Sequence, residues 1–293
     1  MNWDDVRVFL AVARSGQILG ASRRLGLNHA TVARRLDQLE AGLGARLLER
    51  RPNGCTLTDQ GVAFLDRAER MEAEMDAARA AVSDERLDLA GTVRVGAPDG
   101  FGTDFLAPRL APWLARHPRL KVQLVPVPRA FSLSRREADI AITVDRPEQG
   151  RVIARKLIDY SLGLFASSAY VEAFGAPESL DDLARHRLVG YVEDLVYSAS
   201  LHYAEDLGGV WPSRFEISTA LGQTVAVEAG AGIGILHTFM AARRPHLIRI
   251  LPDQTIRRTY WLLHHESTRG LAGVEAVSKA ITDLVGAERA IFR

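Results

Sequence analysis

Apolar residues recur at helical spacing through the first forty residues and predict three short helices. The first helix, at residues 3–14, places four apolar residues on one face: Val6, Phe9, Leu10 and Ala13. A second helix runs to about Leu25, where Gly26 is suited to the left-handed conformation at a helix end. Asn28 then caps a third helix from His29 to about Glu40.

The third helix has an apolar face and a contrasting polar face. Its inward residues recur at steps of four and three: Val32, Leu36 and Leu39. Its outward residues are mostly small: Ala30, Ala33, Arg34 and Asp37. Small side chains allow a helix into the major groove, and an arginine there can reach a phosphate or a guanine edge. A helical hairpin with a solvated face is the alternative for residues 15–40 taken alone.

A basic turn follows this hairpin. An extended segment begins at Ala45–Glu49, the residues RRPNG (50–54) form the turn, and Thr56–Leu57 leads back. Because Asn-Gly is a strong hairpin signal, this segment predicts the wing of a winged helix. Arg50 and Arg51 could then lie on the phosphate backbone or in the minor groove, although a solvated turn is the alternative.

A long helix with a narrow apolar seam begins after Thr58, which can cap it, and continues to about Ala81. The seam consists of residues three or four apart: Leu65, Ala68, Met71, Met75, Ala78 and Val82. Such a helix is not stable alone and needs a partner. That partner is either a second copy of the helix or the rest of the same chain.

From Asp88–Gly91 onward, strands alternate with helices. The predicted strands are Thr92–Gly96, residues 121–127, a strand ending at Val144, Tyr160–Ala166, Ile233–His237 and Tyr260–Leu263. The predicted helices include one on the apolar face of Phe105 and Leu110, a short one at Ser132–Glu137 and a last one at Val274–Leu284. This alternation predicts an α/β domain with parallel sheets covered by helices.

The segments WDDVRVFLAVARSG, LGLNHATVARRLDQLEAGLGARLLERR and LTDQG resemble the N-terminal domain of LysR-type transcriptional regulators over about sixty residues, without gaps. That family usually has Ser-Gln-Pro where this chain has Asn28, His29 and Ala30, so the base-reading positions differ. The second half is similar in order to the family's effector domain, which resembles periplasmic solute-binding proteins. The resemblance implies a dimerising linker helix, tetramers and a small-molecule effector.

The expected fold is α/β overall, with an all-α winged helix-turn-helix head, a long linker helix and a two-lobed α/β domain. The expected boundaries are 1–58 for the head, 59–90 for the linker and 91–293 for the effector domain, with lobe 1 at about 92–158 and 267–293 and lobe 2 at about 159–266. The residues expected at the DNA are Asn28, His29, Ala30, Thr31, Ala33, Arg34, Arg35, Arg50 and Arg51.

In open α/β sheets, ligands bind beyond the carboxyl ends of strands, near a crossover. This rule marks ten candidate effector contacts: Pro98, Asp99, Gly100, Phe101, Thr143, Asp145, Tyr191, Thr219, Gln223 and His237. Thr219 could cap a helix whose free N–H groups attract a carboxylate. Each candidate could instead be a turn or cap residue of the fold.

The net charge of +1 conceals an asymmetry. Residues 1–58 hold nine arginines and five acidic residues, whereas residues 59–90 hold nine acidic residues and four arginines. A basic head is expected where one end meets a polyanion. The single cysteine, Cys55, cannot form an internal disulfide and fits a reducing cytoplasm; neither a secretion signal nor a membrane span is expected.

No set of residues predicts catalysis or a metal site. The glycine run GAGIGIL (230–236) follows a helix and precedes a strand, the reverse of a phosphate-binding loop. His264 and His265 are strand neighbours and point to opposite faces, and Ser167 and Ser168 lack the glycine-flanked elbow of a hydrolase.

The sequence therefore predicts a DNA-binding transcriptional regulator without a cofactor. Its expected partners are an inverted-repeat operator in double-stranded DNA, itself as a dimer or tetramer, and an effector, with RNA polymerase as a further candidate and no membrane. The alternative is a ligand-binding protein whose helical head contacts another protein. The sequence does not identify the effector, the operator or the regulated genes.

Overall fold

The computed structural model describes residues 2–51, 54–82, 89–127, 129, 138–147, 152–209, 211–268 and 270–293. Contacts divide the chain into two compact units, the first built mainly from residues 1–86 and the second mainly from the residues that follow. Three parts of the sequence predictions lie outside the described residues: the tip of the wing at Pro52 and Asn53, the start of the α/β region at Asp88, and the helix at Ser132–Glu137.

Three helices form the core of the first unit: α1 (Trp3–Ser15), α2 (Ile18–Leu25) and α3 (His29–Leu43). Their inward residues are almost completely buried, as the periodicity predicts: Val6, Phe9, Leu10, Val32, Leu36 and Leu39. Gly16, Gly26 and Gly44 end the three helices in the left-handed conformation, which glycine adopts at little cost.

A two-stranded wing and a long helix complete this unit. Strands β1 (Leu48–Arg51) and β2 (Gly54–Leu57) pair antiparallel, and α4 runs over Asp59–Val82. The Thr58 hydroxyl caps α4 by accepting a hydrogen bond from the Gly61 N–H at 2.9 Å. A side chain at Gly61 would place its Cβ only 2.0 Å from the Leu47 carbonyl oxygen, so the helix and the strand segment pack together only with glycine there.

The first turns of α4 belong to the core of the head. Phe64 packs edge-on against Phe9 with ring centroids 5.2 Å apart, and Ala68 is completely buried. The Arg14 guanidinium lies 2.5 Å from a Glu72 carboxylate oxygen. Further along the helix, Met71 and Met75 are exposed. The predicted seam is therefore buried within the head at its start and open to solvent beyond it.

The second unit contains one eight-stranded mixed sheet, in the order β4-β3-β5-β10-β6-β9-β7-β8. Its strands are β3 (Gly91–Ala97), β4 (Leu120–Pro126), β5 (Ile140–Thr143), β6 (Val152–Ser167), β7 (Leu188–Gly190), β8 (Phe215–Glu216), β9 (Ile233–His237) and β10 (Leu247–His265). Its helices are α5 (Ala107–Leu114), which continues a π-helical turn, α6 (Ser168–Phe174), α7 (Ala220–Glu228), α8 (Thr238–Ala241) and α9 (Ala272–Ala287).

Two long strands, β6 and β10, connect two lobes. In lobe 1, the end of β10 (Trp261–His265) pairs with the start of β6, and residues 261–264 also pair with β5. In lobe 2, the earlier part of β10 pairs with the later part of β6, and that part of β6 also pairs with β9. A register shift between Tyr260 and Trp261 marks the passage from one lobe to the other. The second unit therefore has the two-lobed α/β architecture that the sequence predicts.

The expectation of parallel sheets is confirmed within each lobe but does not hold for the two connecting strands. Strands β3, β4 and β5 are parallel within lobe 1, and β7, β8 and β9 are parallel within lobe 2. The connecting strands β6 and β10 pair antiparallel because one leads from lobe 1 into lobe 2 and the other returns. The short predictions Tyr160–Ala166 and Tyr260–Leu263 capture only parts of these two strands.

Candidate DNA-binding face and ligand pocket

Two local features fix the turn between α2 and α3. The Leu27 N–H donates to the Ser22 carbonyl at 3.0 Å, past the left-handed Gly26. The Asn28 side-chain oxygen then accepts a hydrogen bond from the Thr31 N–H at 2.7 Å. The chain therefore leaves one helix and enters the next in a defined direction, with Asn28 and Thr31 engaged in the cap.

The outward face of α3 carries one unneutralised cation. His29, Ala30 and Arg34 are exposed, and Thr31 and Ala33 are half-buried. Within the described part of the chain, Arg34 has no carboxylate partner. Short side chains around a free guanidinium leave room for the backbone of a nucleic acid.

Arg35 faces a different environment from its neighbour. Its Nη1 lies 3.4 Å from Asp4 Oδ2 and 4.0 Å from Asp5 Oδ1. Both acids lie in the first turn of α1. In this structure Arg35 therefore braces α3 against α1.

The wing is attached to α3 by ion pairs. Arg50 Nη2 lies 2.5 Å from Asp37 Oδ1 and 3.8 Å from Glu40 Oε2. Arg51 Nη2 lies 2.7 Å from Glu49 Oε2, with both side chains mostly exposed. The Arg50 charge is thus partly neutralised in the free protein. The exposed pair of Arg51 with Glu49 contributes little stability, so Arg51 can leave Glu49 for another anion.

Glu40 positions the wing and was not among the predicted site residues. Its Oε1 accepts hydrogen bonds from the N–H groups of Leu47 at 2.7 Å and Leu48 at 3.0 Å. These bonds join the end of α3 to the entry of β1. The sequence signal for this role is an acidic residue four positions after Leu36, on the otherwise apolar stripe of α3.

In the second unit, the residues after β3 serve the fold. Asp99 Oδ2 accepts a hydrogen bond from the Leu221 N–H at 2.9 Å, at the start of α7. A side chain at Gly100 would collide with Met240, and Phe101 is completely buried among aromatic rings. The Pro98 carbonyl accepts from the Gly102 N–H at 2.8 Å.

Thr219 caps α7 as the sequence predicts, with its hydroxyl accepting from the Gly222 N–H at 3.1 Å. The expectation that these N–H groups are free for a ligand carboxylate is wrong for two of them. Gly222 donates to Thr219, and Leu221 donates to Asp99 of the other lobe. The Asp99 carboxylate therefore occupies the position in which a ligand carboxylate was expected.

Asp145 also connects the two lobes. Its carboxylate oxygens accept hydrogen bonds from the hydroxyls of Ser198 and Ser200. Its backbone carbonyl accepts from the Thr143 hydroxyl at 2.6 Å. Thr143 and Asp145 line a cavity of about 200 Å³ together with Tyr197, whose pKa burial raises.

His237 is buried at the end of β9 and stacks on Tyr160, with ring centroids 5.3 Å apart. Burial lowers the pKa of His237 to about 4, so the imidazole is neutral near pH 7. Two further rings lie edge-on to it, Phe239 at 5.5 Å and Tyr203 at 6.2 Å. His237 is therefore part of an aromatic cluster.

A pocket of about 350 Å³ lies within lobe 2 and contains two of the predicted contacts, Tyr191 and Gln223. Aromatic and acidic side chains form much of its wall: Tyr203, Trp211, Glu193, Glu205 and Glu216. The Trp211 indole N–H donates to the Val189 carbonyl at 3.0 Å, which holds this ring in place. The structure thus places two of the ten predicted contacts in this pocket and two in the smaller cavity, and the other six are buried or half-buried outside both.

No group of histidine, cysteine and carboxylate side chains suited to a metal ion occurs among the described residues. GAGIGIL (230–236) follows α7 and continues into β9, so a helix precedes it and a strand follows, which is the order argued above against a phosphate-binding loop. Within the described ranges, no helix is both long and apolar enough to span a membrane.

Comparisons with known proteins agree with both units. Residues 3–62 match the family described as "Bacterial regulatory helix-turn-helix protein, lysR family". Residues 86–285 match the family described as "LysR substrate binding domain". Together these matches cover most of the chain.

Among curated relatives, the regulator CrgA of Neisseria meningitidis serogroup C is 30% identical over 264 residues, or 88% of each chain. An HTH-type transcriptional regulator of Xanthomonas campestris pv. campestris is 32% identical over 184 residues, which are 63% of this chain and 54% of that protein. This chain thus aligns with only about half of the second relative.

Solved structures share the fold. CrgA from Neisseria meningitidis aligns over 97% of this chain and 99% of its own, with a TM-score of 0.59 and 24% identity. Full-length LysG from Corynebacterium glutamicum with bound effector Arg aligns over 98% and 99%, with a TM-score of 0.65 and 19% identity.

Regulators of this family bind DNA through the helix-turn-helix, oligomerise and bind small-molecule effectors, and they are not enzymes. One family match alone spans residues 86–285, well over half of the chain. The chain therefore belongs to the LysR family of DNA-binding transcriptional regulators.

Proposed function

We propose that this regulator binds an operator made of inverted half-sites, with α3 of each subunit in a major groove. The observation that carries the proposal is the outward face of α3, where the unneutralised Arg34 stands among small side chains. Arg34 contacts a phosphate, and the exposed His29 is the residue that reads a base edge. Ala30 and Ala33 permit close approach.

The remaining basic residues act in affinity rather than in sequence choice. Arg51, at the wing, reaches the phosphate backbone after its exposed pair with Glu49 opens. Arg50 stays beside Asp37 and Arg35 beside Asp4, so both hold the reading surface in place. Asn28 and Thr31 fix the start of the helix.

A second copy of the chain covers the open part of the α4 seam. Met71 and Met75 are exposed on a helix whose earlier apolar residues are buried in the head. An isolated exposed seam of this kind is stabilised by pairing with an identical helix. The resulting dimer has two recognition helices, which explains why the operator should be a repeat. We also propose that the dimers form tetramers, that the protein contacts RNA polymerase and that it is located in the cytoplasm.

The effector binds in the lobe 2 pocket and acts on the contacts between the lobes. Three carboxylates line this pocket, and none of its described lining residues is a lysine or an arginine. This lining favours a neutral or cationic ligand with an apolar body over a carboxylate. A ligand that alters the bonds of Asp99 or Asp145 would shift the balance between lobe arrangements.

Fluorescence anisotropy tests the proposed function. The full chain is titrated against duplex DNA fragments from the genome of its source in a salt series, with random duplex as competitor. Binding to a fragment that resists the competitor and weakens steeply with salt is the expected result. Equal affinity for all fragments and for random DNA contradicts operator recognition.

Calorimetry tests the ligand class separately. Phenethylamine and phenylacetate have similar apolar bodies and opposite charges. The amine should bind, and Glu193→Gln should weaken its binding, whereas the exposed control Glu172→Gln should not. Tighter binding of phenylacetate than of the amine would refute the assignment.

A further inference from the structure

A second cavity, of about 600 Å³, lies on the two strands that connect the lobes. It is lined by Asp159, Tyr160 and Ser161 of β6 and by residues of β10 that include Arg249, Arg257 and Arg258. Arg293 also lines it. This cavity shares no lining residue with the lobe 2 pocket proposed above for the effector.

The charge of this cavity is largely uncompensated. Arg258 is paired with Asp206. For Arg257 and Arg293, the described part of the chain provides no ion pair. The one side-chain carboxylate among the described lining residues, that of Asp159, already accepts from Lys156 at 2.7 Å and from Thr259 at 2.6 Å. These bonds lower the pKa of Asp159, led by the bond from Lys156, and leave little of that carboxylate for the arginines.

Arg249 is held in the cavity wall by the shape of the sheet. A register shift between Ile250 and Thr255 places Thr255 opposite Gly163, only two positions along β6 from Phe165, which pairs with Arg249. A Cβ at Gly163 would lie 3.2 Å from Arg249 Nε, so glycine there allows the guanidinium to lie against the strand. Arg249 Nη2 donates to the Thr255 hydroxyl at 2.5 Å.

This placement leaves one N–H of the Arg249 guanidinium, that of Nε, buried without a polar partner among the described residues. Nor does any described carboxylate lie within ion-pair distance of the side chain. A half-buried guanidinium without a counter-charge costs free energy, which an anion in the adjoining cavity would offset. Arg257 and Arg293 add charge that attracts the same ligand.

We propose that this cavity is a second ligand site, for a compact dianion held by Arg249 and Arg257. Phosphate and dicarboxylate groups share the required chemistry, because both present several oxygens to guanidinium groups. The site lies where the chain crosses between the lobes, so an anion bound there joins the two connecting strands.

Isothermal titration calorimetry of the full chain tests the site, with inorganic phosphate and succinate as probes at constant ionic strength set by chloride. Wild type should bind at least one probe with a Kd below about 1 mM. Arg257→Gln, at an exposed position, should weaken this binding at least about tenfold, the order of one charged hydrogen bond. The probe that binds more tightly identifies the class of anion.

Two further variants separate this site from others. Arg185→Gln changes an exposed arginine that does not line the cavity, and Arg34→Gln changes the DNA-binding face; each should alter the Kd less than about twofold. Arg249→Gln should match Arg257→Gln if the variant folds. Absence of binding at 10 mM of either probe, on the order of the weakest specific sites, overturns the proposal. The proposal is also overturned if Arg34→Gln weakens binding of the probe and Arg257→Gln does not.

Discussion

The outward face of α3 and the lobe 2 pocket differ in charge and in how their side chains are held. On α3, Arg34 and His29 are exposed, and no described carboxylate neutralises Arg34. In the pocket, acidic side chains such as Glu193 surround an aromatic wall, and no described lining residue is a lysine or an arginine. One region suits a polyanion and the other suits a neutral or positively charged small molecule.

The two regions also differ in which polar side chains already form hydrogen bonds or ion pairs within the protein. Next to the lobe 2 pocket, Asp99 and Thr219 are bonded to the start of α7, and Asp145 is bonded to serine hydroxyls. Around α3, the ion pairs belong to Arg35 and to Arg50 of the wing, which pairs with Asp37 of the helix, whereas Arg34 stays free of such pairs among the described residues. A polar residue predicted at a site is therefore available to a ligand only after its partners within the fold are known.

The largest expected effect concerns the stability of the head alone. Gly61→Ala places a methyl group against the Leu47 carbonyl and should destabilise the head by about 3 kcal/mol. Differential scanning calorimetry should show one transition lowered by about 10–20 °C and the transition of the second unit unchanged.

Gly42→Ala is the matched control, since nothing lies within 4 Å of a Cβ at that helical position. It should stabilise the head by about 0.5–1 kcal/mol. Equal effects of the two alanine variants would show that the contact between Gly61 and Leu47 does not limit packing.

The second effect concerns the stability of the second unit as pH changes. The pKa of His237 is lowered from 6.5 to about 4 by burial, so below pH 6.5 the unfolded chain binds a proton that the folded chain does not. Stability should therefore fall as pH decreases from 6.5 to 4, by about 3 kcal/mol in total from this group.

Urea unfolding at several pH values measures this loss. His237→Gln, which cannot titrate, should have a lower stability at neutral pH but a flatter dependence on pH. The exposed His246→Gln should keep the dependence of the wild type. If the stability of His237→Gln depended on pH as steeply as that of the wild type, a group other than His237 would be responsible for the loss.

The third effect is smaller and compares two arginines of the head. Arg34→Ala should weaken DNA binding about tenfold for every sequence and reduce the salt slope by about 1. Arg50→Ala should weaken it less than about threefold, because Asp37 already neutralises part of its charge. Anisotropy titrations at several salt concentrations measure which variant loses more DNA affinity. A larger loss of affinity for Arg50→Ala than for Arg34→Ala would assign the phosphate contact to the wing.

The architecture of the head could be predicted almost completely from local sequence. Helix faces, the cap at Asn28 and the turn at Gly26 depend on residues within four positions of one another, and the structure has each of them. The ion pairs that engage Arg35 and Arg50 join residues 10 or more positions apart. Periodicity alone does not specify such pairs.

The second unit shows the same limit more strongly. The cap at Thr219 was predictable, but the carboxylate that accepts from the Leu221 N–H belongs to Asp99, 122 positions before Leu221. Phe101 follows a strand end, as ligand contacts often do, yet it packs against Tyr260 in the core. Strand β6 was underestimated because Arg155, Lys156 and Asp159 interrupt its apolar pattern. Strand β10 was underestimated because Asp253, Arg257 and Arg258 interrupt its pattern in the same way.

Selection of duplexes from a randomised pool by the wild type and by His29→Ala tests the central claim most directly, namely that the outward face of α3 reads the operator. His29 is exposed at the first position of that helix. The account predicts that His29→Ala loses preference at one base pair in each half-site and keeps the spacing of the repeat. An identical preferred sequence for both proteins would contradict the assignment of base reading to this face.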